Sequence, residues 1–146
     1  MKKAFILLAS ALALVSCEKD STEYIDRPNR YIKLAEIISL PKLNYDTDNS
    51  PPDLRVDLKR RSASFWEFST QTEINAASLP TFAVFPAEIL VTDEIYEIRI
   101  VDEDLENPTD YEIFYWAFNP VDEGVNGEFE FMADGKLIMV LNYNEK

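Results

Sequence analysis

Short apolar stretches with turn-forming residues between them recur from Tyr31 to the end of the chain, and none has the spacing of an amphipathic helix. The segment 54–59 alternates strictly between apolar and charged residues, and the segment 95–101 alternates in a similar way. Because successive side chains of a strand point to opposite faces, this pattern predicts strands that are buried on one face. The chain is therefore predicted to be all-β, an antiparallel β-sandwich of about eight strands in two sheets.

The remaining strands are predicted from apolar and aromatic runs. They cover 31–40, 64–72, 81–90, 111–118, 128–132 and 136–142. Pro86 is expected to put its segment at a sheet edge or partly in a loop, because proline cannot donate a ladder hydrogen bond. Asp134-Gly135 predicts a tight hairpin, since glycine accepts positive φ. The aromatic run 111–118 is expected to be a central strand, with Trp116, like Trp66, in the core rather than on a sugar-binding surface.

The first sixteen residues differ in pattern from the rest of the chain. Lys2 and Lys3 precede an apolar run over 4–15. A run of about a dozen apolar residues is too short to cross a bilayer comfortably and is typical of a secretory signal peptide. The residues that follow, Leu-Val-Ser-Cys at 14–17, resemble the lipobox of bacterial lipoproteins. This resemblance implies cleavage before Cys17 and acylation of its sulfur and its new amino group.

The lipobox resemblance sets the expected domain organisation and location. Residues 1–16 are then the lipoprotein signal peptide, 17–30 the lipidated cysteine with a flexible tether, and 31–146 the folded domain. Multiple acyl chains anchor a protein durably, because each buried methylene contributes about 0.8 kcal/mol. Residues 18–20, Glu-Lys-Asp, are similar to the acidic surface-export runs of some Gram-negative lipoproteins. We expect a lipid-anchored protein of the bacterial outer membrane or cell surface, and a plain signal peptide is the alternative.

Composition narrows the chemistry that the domain can perform. The 146 residues include no histidine and one cysteine, which excludes a Ser-His-Asp triad, a Cys-His pair, an internal disulfide and every histidine-containing zinc site. The formal net charge is −13, and removal of the signal peptide with its two lysines makes it −15. This charge argues against nucleic acid as a partner, because affinity for phosphates depends on Lys and Arg. It suits a solvated extracellular domain or one that binds cations.

Acidic residues concentrate in two of the predicted loops. They are Asp46, Asp48, Asp53, Asp102, Asp104 and Asp110. The last three are spaced D-x-D-x₅-D between two predicted strands, so carboxylates from both sides of one loop can meet at a cation. Ca²⁺ takes six to eight oxygen ligands, whereas clustered carboxylates without a cation repel one another. The pattern predicts a calcium site or a solvated acidic loop. An EF-hand is excluded, since Asn107 and Pro51 stand where that motif requires glycine.

The order of these elements resembles a C2 domain, an eight-stranded β-sandwich that binds Ca²⁺ through loops at one end. Residues 53–58, Asp-Leu-Arg-Val-Asp-Leu, are similar to the Asp-Pro-Tyr-Val-Lys-Leu with which the family opens a strand after its first loop. The D-x-D-x₅-D loop, with the aromatic and branched residues after it, is similar to the third loop of the family. The stretch 72–82 is comparable to the family's segment between those loops.

The C2 resemblance also implies a set of calcium ligands. They are Asp53, Asp102, Asp104, Asp110 and one of Asp46 and Asp48. The family usually has an Asp at the position of Thr47, and Pro51-Pro52 replaces the usual glycine of that loop. Asp46 or Asp48 therefore serves only after a one-residue shift of the loop.

Three functions follow from these features. The first is a calcium-dependent module that binds anionic lipid or a partner protein of the envelope. The second is a metal-free structural or accessory lipoprotein that acts through protein–protein contacts, and loss of a loop ligand would favour it. The third, an enzyme with two catalytic carboxylates such as a glycosidase, has little support, because the domain is small, lacks histidine and offers no carboxylate with a reason to be the acid. We expect a binding protein rather than an enzyme.

Overall fold

The computed structural model describes residues 27–41, 50–103 and 110–146, which form eight strands and no helix. The strands are β1 (Arg30–Ile37), β2 (Leu54–Arg60), β3 (Phe68–Ser69), β4 (Thr81–Val91), β5 (Tyr96–Asp102), β6 (Tyr111–Phe118), β7 (Glu128–Ala133) and β8 (Lys136–Glu145). Within these ranges no helix is long and apolar enough to cross a membrane. The prediction of an all-β domain is confirmed.

The strands form two four-stranded sheets, in the orders β4-β1-β8-β7 and β3-β2-β5-β6, and every pairing is antiparallel. Alternate side chains from both sheets meet in one core. On β2 the inward residues are Leu54, Val56 and Leu58, and all three are fully buried. Burial of this apolar face explains why the alternating segments form strands, because each inward side chain contributes about 1.5–3 kcal/mol. The predicted antiparallel sandwich is confirmed.

The two ends of the sandwich carry different parts of the chain. At one end, which we call the tether end, β1 begins at Arg30, beside Glu145 of β8 and Val91 of β4. At the other end Leu54 pairs with Asp102. We call this second end the loop end; its described residues include 50–53, 70–80, 103 and 110, and the residues 38–41 and the hairpin 134–135 also lie there. The described acidic residues Asp53, Asp102 and Asp110 therefore lie opposite the point where the chain enters the sandwich.

Two strand predictions are wrong in their details. The segment 64–72 contributes only the two-residue strand β3, and Trp66 lies half-buried over the Arg99 guanidinium, 4.4 Å from ring centre to Cζ. The run 111–118 is not central, because β6 is the edge strand of its sheet. Trp116 is consequently 42% exposed, although it lies opposite the inward-facing Ile98. An aromatic run indicates that one face of a strand is buried. It does not indicate whether the strand lies in the centre or at the edge of its sheet.

The predictions for Pro86 and for the hairpin are confirmed. Strand β4 is an edge strand, and Pro86 lies in the interval where its regular pairing with β1 is interrupted, between Val84 and Ile89. Asp134 and Gly135 connect β7 to β8 with φ values of 49° and 74°. These left-handed values are the ones that a tight hairpin turn of matching twist requires.

Candidate functional site

The loop end is held together by hydrogen bonds between backbone groups and two aspartates. Asp102, the last residue of β5, is only 2% exposed, and its Oδ1 accepts a hydrogen bond of 2.8 Å from the backbone N–H of Asp53. The Asp53 carbonyl accepts one of 2.8 Å from the N–H of Glu103, and Asp53 Oδ1 accepts one of 2.7 Å from the N–H of Asn75. These contacts join three segments of the chain: the one before β2, which contains Asp53, the one before β4, which contains Asn75, and the one after β5, which contains Glu103. The two predicted ligands Asp53 and Asp102 thus lie side by side.

Arg55 brings a positive charge into the same region. Its Nε donates a hydrogen bond of 2.9 Å to Asp57 Oδ1, while Nη1 pairs with Glu103 and Nη2 pairs with Asp110. The side chain is only 15% exposed, so these pairs are partly shielded from water. Glu103 also accepts a hydrogen bond from the hydroxyl of Thr72. One guanidinium therefore contacts three carboxylates, two of which flank the connection between β5 and β6.

Asp57 links Arg55 to a second arginine on the neighbouring strand. Its carboxylate is essentially buried on the outward face of β2, and Oδ2 accepts a hydrogen bond of 2.9 Å from Arg99 Nε. Arg99 Nη2 lies 2.8 Å from the same oxygen and 3.6 Å from Asp110 Oδ2. Arg55, Asp57, Arg99 and Asp110 form a closed ring of alternating charge. Burial of these groups is tolerated because each is paired.

Within the ring, the pKa values of Asp57 and Arg55 are shifted in the directions that keep both groups ionised. Burial raises the pKa of Asp57, but hydrogen bonds from Arg55, Ser69 and Arg99 and the charge of Arg55 outweigh it, so the pKa lies below its ordinary value. Burial also lowers the pKa of Arg55, and its bonds to Asp57 and Asp110 outweigh that effect, so this pKa is raised. Both groups are therefore charged at neutral pH, and the ion pairs persist.

The predicted calcium ligands have different outcomes. Asp53, Asp102 and Asp110 all lie at the loop end, whereas Asp46, Asp48 and Asp104 lie outside the described residues. Asp110 is paired with Arg55 and Arg99. In the described part of the chain, no three acidic side chains are grouped so that they could hold a metal ion. Because Ca²⁺ requires six to eight oxygen ligands, the described residues by themselves do not fit a calcium centre.

The sequence interpretation missed Arg55, Asp57, Arg99 and Glu103. One signal was present: Arg55 and Asp57 are two positions apart on an alternating strand, and such residues lie on the same face. The contact of Arg55 with Asp110 had no comparable signal, because the two residues are 55 positions apart. Their meeting depends on β2 lying beside β5 in the sheet.

Basic residues at the far end of β2 are also paired. Lys59 Nζ lies 3.1 Å from Glu97 Oε2, and Arg61 Nε lies 3.1 Å from Glu97 Oε1. Arg60 forms an ion pair with Glu67. These pairs offset neighbouring acids on the sheet surface, so the Lys-Arg-Arg run does not present an uncompensated basic patch.

A cavity of about 580 Å³ opens at the tether end. Its charged lining residues are Arg27, Arg30, Asp93, Asp122 and Glu145. Arg30 is already engaged there, since it donates to the carbonyls of Pro120 and Glu123 and its guanidinium Cζ lies 4.5 Å from the centre of the Tyr143 ring. The lining carries both positive and negative side chains, and Arg30 is already engaged by backbone carbonyls and an aromatic ring. The cavity therefore favours no particular ligand.

Comparison with known proteins shows a fold and not a family. Neither a protein-family model nor a curated protein matches the sequence. Two structures of human GIVD cytosolic phospholipase A2 are similar in fold. The complex with methyl γ-linolenyl fluorophosphonate and terbium chloride has a TM-score of 0.51 at 17% identity, and the complex with the fluorophosphonate alone has 0.51 at 15%. Each match covers 83% of this chain and 18% of the phospholipase chain. With this likeness, the domain is a C2-like antiparallel β-sandwich.

Proposed function

We propose that this chain is a membrane-anchored envelope lipoprotein whose C2-like domain acts as a binding module and not as an enzyme. The anchor rests on the resemblance of residues 14–17 to a lipobox. The binding role rests on one observation, the convergence of three chain segments at the loop end, which hydrogen bonds of Asp53 and Asp102 hold together. A rigid end of a sandwich that presents loops is a common place for recognition.

The loop end supports a metal-free module that acts through protein–protein contacts. Arg55 and Arg99 already supply the positive charge that the carboxylates need, and they occupy the predicted ligand Asp110. The expected partner is an envelope protein with a positively charged surface, because the mature chain carries a net charge of −15. The phospholipase chains are more than five times as long as the match, and their activity is not part of this proposal.

The position of the loop end favours a protein partner over the anchoring membrane. The chain enters the sandwich at Arg30, and the loop end lies at the opposite end. With Cys17 as the anchor, the tether end is the one that is connected to the membrane. An acidic domain is also repelled by anionic lipid headgroups unless a cation intervenes. Docking of the loop end on anionic lipid is therefore the less favoured form of the proposal.

A calcium-dependent module is the second candidate. It is favoured by the adjacency of Asp53 and Asp102 at one end of a C2-like sandwich, and by the similar phospholipase structure obtained with terbium chloride. Such a site needs further ligands from Asp46, Asp48 and Asp104, which lie outside the described residues. It also needs Asp110 to exchange Arg55 for the metal.

Thermal melting of the mature protein in detergent micelles separates the two candidates. For the metal-free module, millimolar CaCl₂ should shift the melting temperature no more than NaCl of equal ionic strength does. Calcium that binds only the native state stabilises it by about 2.7 kcal/mol at a hundredfold excess over Kd. A rise of several degrees that is specific to calcium would show that the calcium-dependent candidate is correct and the metal-free one wrong.

A further inference from the structure

We propose that Arg55 is the built-in counter-ion of the loop end and compensates carboxylates there that would otherwise need a metal ion. The inference rests on the proposed metal-free module, which needs no metal because the charge of Arg55 compensates its carboxylates. It also predicts that the chain becomes dependent on divalent cations when this one guanidinium is removed.

The contacts of Arg55 resemble what a metal centre achieves. The guanidinium collects carboxylates from separate parts of the chain, namely Asp57 on β2, Glu103 at the end of β5 and Asp110 at the start of β6. The last two flank the connection 104–109, so Arg55 fixes both ends of that connection. A planar fork of N–H donors is suited to several carboxylates at once, and lysine cannot reproduce this geometry.

The positive charge at this site also equals that of one divalent cation. Arg55 and Arg99 together carry two positive charges, the charge of one divalent cation, and they face Asp57, Glu103 and Asp110. A cation that took Asp110 and Glu103 would leave a guanidinium that is 15% exposed without two of its partners. Breaking a shielded ion pair on one side is unfavourable, because the remaining charge is left uncompensated. Arg55 therefore competes with any metal for these carboxylates.

The decisive variant is Arg55→Gln, which keeps a polar side chain and removes the charge. Its matched control is Arg61→Gln, because Arg61 is also ion-paired on the same sheet but lies at the opposite end, with Glu97. Each mature protein in detergent micelles is melted in EDTA and in millimolar CaCl₂ at matched ionic strength. Binding is read directly from terbium luminescence sensitised by tyrosine and tryptophan, with displacement by calcium.

The expected result is specific to Arg55. In EDTA, Arg55→Gln should melt lower than the wild type by about 5 °C or more, and CaCl₂ should restore at least half of the loss. Its terbium affinity should exceed that of the wild type by about tenfold or more, since the competing cation is gone. Arg61→Gln should match the wild type in both salts and in terbium binding.

Two outcomes distinguish the inference from the proposed function. If Arg55→Gln responds to calcium and terbium no more than the wild type does, the inference is wrong and the metal-free module stands. If the wild type itself binds calcium, the metal-free module is wrong, and the inference survives only with the tenfold gain in Arg55→Gln. Should Arg55→Gln fail to fold in both salts, Arg55→Lys decides, because it keeps the charge without the fork. Because the competing cation is retained, Arg55→Lys must then fold in EDTA and bind terbium no more tightly than the wild type, and tenfold tighter binding refutes the inference.

Discussion

At the scale of single residues, Asp57 shows how a polar position on an outward face becomes part of the interior. Alternation along β2 assigns Asp57 to the charged face, yet its carboxylate is essentially buried. Arg55 and Arg99 flank it at hydrogen-bonding distances of 2.9 Å each. Hydrophobic periodicity predicts the face of the sheet on which a residue lies. Whether a polar residue on the outward face is buried depends on the long side chains around it, here those of Arg55 and Arg99.

The lowered pKa of Asp57 predicts a specific loss of stability in acid. Because the folded-state pKa lies below the ordinary value of 3.8, the stabilisation is present above that value and is lost as the pH falls through the folded pKa. In Asp57→Asn the free energy of unfolding should drop by roughly 3 kcal/mol at neutral pH, since two arginines lose their shared partner. Its free energy of unfolding should then decline less steeply than that of the wild type between about pH 5 and pH 3.

Urea unfolding at a series of pH values measures both effects. Asp134→Asn is the matched control, because Asp134 lies on the exposed hairpin and Asn also tolerates its positive φ. The control should follow the wild-type curve. Parallel curves for wild type and Asp57→Asn would show that Asp57 contributes nothing to the acid sensitivity.

At the scale of elements, the β6–β7 connection is more tightly constrained than its sequence indicates. Residues 119–127 contain two of the three glycines of the chain, and Arg30 from β1 binds the carbonyls of Pro120 and Glu123 within this connection. Gly124 has a φ of +102° and packs directly against the ring of Phe129. Glycines in the sequence identify such a connection as a loop. They do not indicate that the loop packs against side chains of the neighbouring strands.

Alanine substitutions at two glycines test this constraint. A Cβ at Gly124 would lie 2.5 Å from Phe129 Cε1 and 3.1 Å from Tyr143 Cε1, whereas a Cβ at Gly135 would have no neighbour within 4 Å. Gly124→Ala should therefore lower the free energy of unfolding by roughly 3 kcal/mol, from overpacking together with backbone strain. Gly135→Ala should lower it by about 1 kcal/mol, from strain alone. Equal losses in urea unfolding would refute the packing role of Gly124.

At the scale of the whole molecule, the sandwich has two unlike ends, and the proposed anchor and tether precede its first strand in the sequence. The chain has a net charge of −13. The ring of Arg55, Asp57, Arg99 and Asp110 contains two arginines and two aspartates and is neutral, so the excess of acidic residues lies outside it. Arg30, where the first strand begins, lies at the end of the sandwich opposite the loop end. The proposed arrangement therefore presents the loop end to partners outside the anchoring membrane.

Substitution of the proposed acylation site tests this arrangement. Cys17→Ser should keep its signal peptide and run larger than the mature wild type on a denaturing gel, and it should not incorporate labelled fatty acid, because the cysteine sulfur is the proposed acylation site. Ser21→Ala, in the expected tether, is the control and should behave like the wild type. Normal processing of Cys17→Ser, or its labelling by fatty acid, would contradict the lipoprotein proposal.

The sequence by itself determined most of the strands, their inward faces and the Asp134-Gly135 hairpin. These features depend on short-range rules, since alternation has a period of two residues and a tight turn needs positive φ at two adjacent positions. The tertiary structure alone decided the order of the strands, which places β6 at an edge, and the partners of the acidic loops. The spacing of Asp102, Asp104 and Asp110 indicates clustered carboxylates that need positive charge nearby. It does not tell whether a metal ion or a basic side chain supplies that charge. The pairing of β2 with β5, which sets Arg55 opposite Val101, and that of β5 with β6, which sets Asp102 opposite Tyr111, together bring the Arg55 guanidinium to Asp110.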